Sequence, residues 1–448
     1  MASVIRLSKG LDIVLQGKAE NVFSKCDAPL AYAVQSADFQ GITPQLLVQK
    51  GAAVKAGTAL FCDALYPPIR FASPVSGVVA DIVSNNNQVQ IIITPNATNE
   101  FETFDVSPIE QIDRPQIVST MLQSGAWAFL VQRPFGVIAA PDAVPNNIFI
   151  SGFDTAPLAA DADFLVNGEG DAFQAGINVL RKLTKGKVYL SLCADYPANK
   201  VMERAKGVEI VRFKGKHPAG NVGVQIHHIA PISKGDVVWT IAPQHVIALG
   251  KLFTQGVYDV AKVVALVGSE VKKTRYYRMT AGASLAVLAD LLQASATPQR
   301  IISGNVLTGT NAGLDGYLGF YHNEITVIPE GNAAELLGWL LPCTRKFSHS
   351  RICFSWWMPN KQYRLDTLTN GSTRPFVADG EYERVLPMDI LPSYLFKAIL
   401  EHHTERAEQL GIYEVIEEDV ALCEFVCTSK INVQAILRQG INELRIKN

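Results

Sequence analysis

The residue order predicts a multidomain α/β protein, and three observations carry that prediction. Short, turn-punctuated β runs crowd the first hundred residues, strands then alternate with helical periods, and the chain's last hundred residues place apolar side chains at three-and-four spacing. At 448 residues, with 48% hydrophobic and 18% charged, there is apolar material for several cores of roughly 100–200 residues each. The divisions fall at residues 1–100, 101–256, 257–330 and 331–448.

In the first region, Gly51–Phe61 places a glycine at each end of a turn before an apolar strand. Arg70–Val79 follows with a Pro–Gly turn inside a β run, and Gln88–Ile93 mixes polar and apolar residues at period two. Such a series reads as a small β barrel or sandwich. Two of its blocks, G-x-x-V-x-x-G-x-x-L from Gly51 and S-P-V-S-G-V-V from Ser73, resemble the biotinyl/lipoyl carrier fold. In that family the blocks flank a hairpin tip bearing the modified lysine. Here the tip falls near Tyr66, in Ala64–Pro68, which holds no lysine. The barrel-sandwich is expected, without the carrier chemistry.

The second region reads as a Rossmann-like parallel α/β domain. Asn147–Gly152 and Asp163–Asn167 are expected strands, and Asp171–Leu183 is an amphipathic helix stopped at Thr184–Lys187, where a glycine follows a lysine. Val188–Leu192 and Val208–Phe213 are further strands, with a helix over Pro197–Ala205 between them. The third region fits a β-grasp domain of the soluble-ligand-binding (SLBB-like) type, with a helix over Leu285–Leu292 and strands at Arg300–Gly304 and Asn323–Ile328. The last opens with a Gly331–Asn332 turn and becomes a helical domain, with helices expected over Pro392–Leu410, Glu417–Phe425 and Val433–Ile446; Trp356–Val377 between is an extended loop.

Forty basic and 42 acidic residues leave a net charge of −2, which provides no single-sign field to steer nucleic acid. The mean hydropathy of +0.14 is high, consistent with apolar faces buried against partners or with large cores. No stretch reaches the roughly 18 apolar residues of a spanning helix; Val237–Gly250 and Leu336–Cys343 are too short or broken. Met1–Gly10 has no secretory signal character, so any membrane link is expected through a partner. The seven cysteines are unevenly spaced and read as reduced thiols.

Motifs for cofactor chemistry are broken. Gly168-Glu169-Gly170 has the setting of a dinucleotide loop, but Phe173 stands where the third glycine belongs and would block close approach of helix, strand and pyrophosphate. No G-x-x-x-x-G-K-[ST] loop and no H-E-x-x-H occurs. Gly282–Ala286 lacks the last glycine of a nucleophile elbow, and Ser284 reads better as a helix N-cap. The adjacent pairs His227-His228 and His402-His403 are poor chelates, because sequence neighbours face different ways. Cys423 and Cys427 share a helix face with no third cysteine near them, against the four thiolates a cluster needs. Trp127–Phe135 is an aromatic and apolar run closing on a fixed cation, Arg133, before Pro134; such a run suits a quinone slot or an ordinary core.

Taken in order, Leu7–Asp12, Phe71–Gly77, Arg133–Phe135, Asp154–Ala160, His217–Gly220, Gly282–Leu285, Arg300–Gly304, Tyr317–Gly319, Thr369–Gly371 and Leu422–Cys427 are similar to the NqrA family of sodium-translocating NADH:quinone reductases. The resemblance spans nearly the whole chain. It implies a fold similar to the flavin-binding chain of complex I without that chain's cofactor sites. The implied role is that of a peripheral component on the cytoplasmic face of the bacterial inner membrane, against the membrane-embedded NqrB, near the point of ubiquinone reduction. NADH, flavins, iron–sulfur and the sodium path are implied on or between the other components, NqrB to NqrF. Two quinone-proximal segments carry over: Val34–Ile42, with Phe39 and Gly41, and Leu130–Val137, with Arg133 and Phe135; Trp127 joins them from the aromatic run. The alternatives are a flavin-bearing, NADH-oxidising component of an Rnf-like or complex I-like assembly, and a carrier or adaptor built on the first domain.

Overall fold

The computed structural model describes residues 4–198, 200–331, 344, 346–350 and 353–447. Asn332 and the apolar stretch Leu336–Cys343 lie outside the described residues.

Two small sheets face each other in the first domain. One runs in the order Tyr32–Gln35, Gln88–Pro95, Gly77–Asn85, Ala53–Val54; the other is Pro44–Leu46, Ala59–Asp63, Arg70–Ala72. The period-two pattern of Gln88–Pro95 puts Val89, Ile91 and Ile93 inside. Ala59–Asp63 and Arg70–Ala72 form the hairpin whose tip holds Leu65 and Tyr66 exposed.

The α/β domain is built on a seven-stranded sheet. Its order is Val4–Arg6, Glu209–Lys214, Val188–Cys193, Asn147–Ser151, Val238–Thr240, Val131–Arg133, Val137–Ile138. The first five strands are parallel, and the last two form an antiparallel hairpin added at the Val238–Thr240 edge. Val4–Arg6 thus leaves its sequence neighbours in the barrel and pairs through Ile5 with Phe213. On one face, the helices Gly170–Leu183 and Pro243–Gln255 touch backbone to backbone. A Cβ on Gly250 would lie 1.8 Å from the Ala172 carbonyl oxygen, and one on Gly176 would lie 2.1 Å from that of Val246. Glycine at both positions is what lets the two helices come so near.

A six-stranded mixed sheet forms the third domain, in the order Thr310–Asn311, Gln299–Ser303, Glu324–Pro329, Ala261–Val267, Arg275–Thr280, Phe23–Ser24. Ala261–Val267 pairs parallel to Glu324–Pro329 and antiparallel to Arg275–Thr280. The helices Glu381–Val385, Pro392–Leu400, Thr404–Gln409, Glu417–Val426 and Val433–Lys447 make the last unit, around Leu395, Phe396, Leu422, Leu437 and Ile441.

Four local expectations are corrected. Asp163–Asn167 is no strand: Ala162–Leu165 is a helical turn, because the Asp161 carboxylate accepts from the Asp163 N–H at 3.0 Å and caps it. The helix over Pro197–Ala205 shrinks to Lys200–Glu203. Leu285–Leu291 is 3-10 rather than α-helical; Ser284 caps it, accepting from the Ala286 N–H. The helix over Pro392–Leu410 breaks in two where His402 adopts φ +56° and His403 starts a new N-cap.

Gly250→Ala is expected to force the two helices apart. The stability loss should be about 1–3 kcal/mol, read as a lower thermal midpoint than that of the parent chain.

Candidate functional site

A cavity of about 620 Å³ opens where the domains meet. Ser151, Thr240 and Ile241 bring to it the carboxyl ends of two parallel strands, the edge at which open α/β sheets bind ligands. Asp38 and Gln40 reach it from the barrel, Tyr321, His322 and Glu324 from the β-grasp sheet, and Glu417, Glu418 and Arg438 from the helices.

Its charges are largely spent within the protein. Arg133, 1% exposed, donates from Nη1 to Asp419 Oδ2 at 2.7 Å and from Nη2 to Glu418. Arg438 binds Glu417 with two nitrogens and donates to the Phe135 carbonyl oxygen at 2.8 Å. The two arginines lining the cavity are therefore both neutralised by carboxylates. Asp419 also accepts from the Ile416 N–H at 3.0 Å, capping its own helix. Its oxygens press on Gly223, in the first turn of the helix Val222–Ile229: a Cβ there would meet both at 2.4 Å. A helix N-terminus favours an anion, and here the protein's own carboxylate takes that place.

A phosphate-bearing cofactor does not fit this lining. The loop after Asn147–Ser151, where a glycine cradle would sit, presents Asp154, and Glu324 and Glu418 line the same space. The broken Gly168–Gly170 turn is used structurally. Phe173 is buried in the core, and Glu169 lies 3.4 Å from Lys251.

Burial shapes the titratable groups around the cavity. Glu324 accepts from the Ala160 N–H at 2.8 Å, yet burial, with Asp154 nearby, pushes its carboxyl up to about 8. His245 is pushed down to about 3 by burial and by Lys262, and His322 to about 4 by the same two causes. Lys262 and Asp38 grip one residue, Phe320: Lys262 Nζ donates to its carbonyl oxygen at 2.6 Å, and its N–H donates to Asp38 at 3.0 Å. Burial moves Lys262 down to about 7 and Asp38 up to about 6. Three buried polar atoms of the lining residues have no hydrogen-bond partner, His217 Nε2, Arg133 Nε and His245 Nδ1.

The five residues singled out from sequence do not share one slot. Phe39 stands in an aromatic wall, its ring 4.3 Å from Phe71 and 5.0 Å from Phe320, and the wall continues through His245 to Phe129. It borders a void of about 20 Å³ beside Asp38, which faces the large cavity as well. Arg133 lines the large cavity. Trp127 is fully buried in the α/β core, donating to the Ala139 carbonyl oxygen at 2.7 Å and lying edge-on to Trp239. Gly41, at φ +79°, accepts from Arg445 at 2.8 Å. Phe135, at φ +84°, packs on Tyr413.

Sequence reading missed Asp38, Lys262, His245 and Glu324. Lys262 did leave a signal: a lysine on the same strand face as Val264 and Leu266 must be buried.

The thiols of Cys423 and Cys427 are buried, and Cys427 accepts a hydrogen bond from the Tyr382 hydroxyl. Among the described residues no group of three or more His, Cys, Asp or Glu is placed to hold a metal ion. No helix there is long and apolar enough to cross a membrane.

Three family models match the chain: the NqrA N-terminal barrel-sandwich hybrid domain over residues 5–94, the NqrA second alpha/beta domain over 112–258 and the NQRA C-terminal domain over 263–313. The NqrA component of the Na(+)-translocating NADH-quinone reductase from Neisseria meningitidis is 38% identical, with 98% of this chain and 99% of that one aligned. The chain belongs to the NqrA family. The corresponding component from Hahella chejuensis is 37% identical and that from Serratia proteamaculans 38%, each again over 98% of this chain and 99% of the relative. This NqrA-family chain is accordingly one component of a multisubunit Na(+)-translocating NADH-quinone reductase. A solved NAD+-reducing [NiFe]-hydrogenase chain aligns at 10% identity over 78% of this chain and 67% of its own, with a TM-score of 0.38.

Two outcomes are expected. Arg133→Ala strands Asp419 as a buried, unpaired carboxylate and should cost about 3–5 kcal/mol, measurable by denaturant unfolding. Folded Glu324 holds its proton up to about 8, against an ordinary 4.5. The folded state therefore binds the extra proton between those values, and stability falls as pH rises through them. Glu324→Gln keeps the acceptor for Ala160 and should flatten that fall in a series of melting curves.

Proposed function

We propose that this NqrA-family chain is a docking scaffold close to quinone, carrying no flavin or iron–sulfur centre of its own. It sits on the cytoplasmic face of the membrane against NqrB. Electrons from NADH pass through flavins and iron–sulfur centres on or between NqrB to NqrF, and sodium crosses elsewhere. Ubiquinone is reduced near the cavity, with Phe39 and Arg133 as the closest of the sequence-derived residues and Gly41, Trp127 and Phe135 supporting them from behind.

The observation that carries this reading is the spent charge of the cavity. Both arginines that could take a phosphate are already matched by Glu417, Glu418 and Asp419, and Asp419 occupies the space over the first turn of the helix Val222–Ile229. An uncharged quinone head makes no such demand. It asks for an apolar slot with a few donors, and the lining includes Phe129, Phe153 and Tyr321 as well as Arg133 and His217, whose Nε and Nε2 have no partner within the protein. The barrel-sandwich, with Leu65 and Tyr66 at the tip where a carrier has its lysine, holds no acyl group and serves as structure.

The purified chain is expected to be colourless and unable to oxidise NADH. A flavin absorption band near-stoichiometric with protein would instead support the flavin-bearing alternative. In the whole reductase, Phe39→Leu should lower quinone reduction several-fold and leave NADH oxidation by an artificial acceptor intact. Equal loss of both rates would remove the local quinone role.

A further inference from the structure

The acids lining the cavity differ in what they face. Glu417 and Glu418 are engaged by arginines, and Asp38 lies near the Lys262 ammonium. Glu324 and Asp154 have only backbone donors: Glu324 Oε2 accepts from the Ala160 N–H and Asp154 Oδ1 from the Ala156 N–H, each at 2.8 Å. Among the described residues neither forms an ion pair. The two come from different elements, Glu324 from the start of the strand Glu324–Pro329 and Asp154 from the loop after Asn147–Ser151, and both line the cavity. Glu324 is 5% exposed, whereas Asp154 is open to water.

Two neighbouring carboxyls with no cation between them do not both ionise, and the buried one keeps its proton. The other titratable groups beside Glu324 do not change this. The Tyr276 hydroxyl accepts from the Asp161 N–H at 2.8 Å and is held in its neutral form by burial. His322, two residues earlier in the chain, is kept neutral by burial and by Lys262. Glu324 therefore meets the cavity as a carboxylic acid, next to an exposed carboxylate that water can reach. Reduction of a quinone to a quinol calls for such a group: it adds two electrons and forms two O–H bonds, and in a slot walled by side chains an acid within reach delivers a proton best.

Resting on the reading that a quinone occupies this cavity, we propose that Glu324 is the acid that protonates one quinone oxygen during reduction, and that Asp154 returns a proton to it from water. The Glu324 O–H bond breaks as a quinone O–H bond forms, which leaves a carboxylate. The two electrons come from NADH through the rest of the reductase, and the second proton comes from water. A further water proton, taken up by Asp154 and passed on, restores the acid.

The test is turnover of the whole reductase with ubiquinone-1 as a function of pH. The parent kcat is expected to fall as pH rises through about 8, where Glu324 gives up its proton. E324Q keeps the acceptor for Ala160 without an acidic proton. It should lower kcat about ten-fold or more at neutral pH with KM unchanged and lose that pH dependence, while NADH oxidation by an artificial acceptor continues. E324D should restore part of the rate. D154N removes the like charge beside Glu324 and should move the fall to lower pH, a shift that a purely structural role would not produce. Parent-like turnover of E324Q at every pH, or an unmoved fall in D154N, would overturn the proposal; if E324Q does not assemble, the D154N profile decides alone. Quenching of the full chain's tryptophan emission by ubiquinone-1 separates the two levels of failure. Quenching together with parent-like E324Q turnover removes Glu324 from the quinone reading and leaves that reading standing, whereas absence of quenching removes both.

Discussion

The buried junction of Arg133, Asp419 and Gly223 is the contact on which the rest of the arrangement depends. It joins three elements far apart in sequence: the hairpin at the edge of the parallel sheet, the helix Glu417–Val426 and the helix Val222–Ile229. Taking both charges out of water is costly, and the cost is offset in part because one carboxylate oxygen, Oδ2, serves both the guanidinium and the Ile416 N–H. Asp419 answers a guanidinium, caps its own helix and faces the N-terminus of another. Gly223 is fixed by that arrangement, since any side chain would displace the carboxylate. Arg438, Glu417 and the Phe135 carbonyl repeat the device one step away.

This junction also decides what the cavity can hold. A dinucleotide site at the carboxyl edge of a parallel sheet works by leaving backbone N–H groups and cations unmatched until a phosphate arrives. Here the matching is internal. Several buried titratable groups shift towards neutrality: Glu324 keeps its proton, His245 and His322 lose theirs, and Lys262 and Asp38 approach each other's range on either side of Phe320. The cations of the cavity are thus matched before any guest arrives. A guest that brings an anionic group finds neither Arg133 nor Arg438 unmatched there.

The division of labour between sequence and structure follows from range. Periodicity and turn residues act over a few positions, so Gln88–Pro95, Gly170–Leu183 and Val433–Lys447 were legible from their own patterns. The Asp163–Asn167 run misled because three apolar residues cannot distinguish a strand from a helical turn, and the cap at Asp161 decided it. The placement of Val4–Arg6 beside Glu209–Lys214 is a pairing across most of the first half of the chain, with no local mark. The partners of Arg133 were hidden for the same reason: a fixed cation after an aromatic run is visible in the chain, but carboxylates 285 and 286 residues away are not.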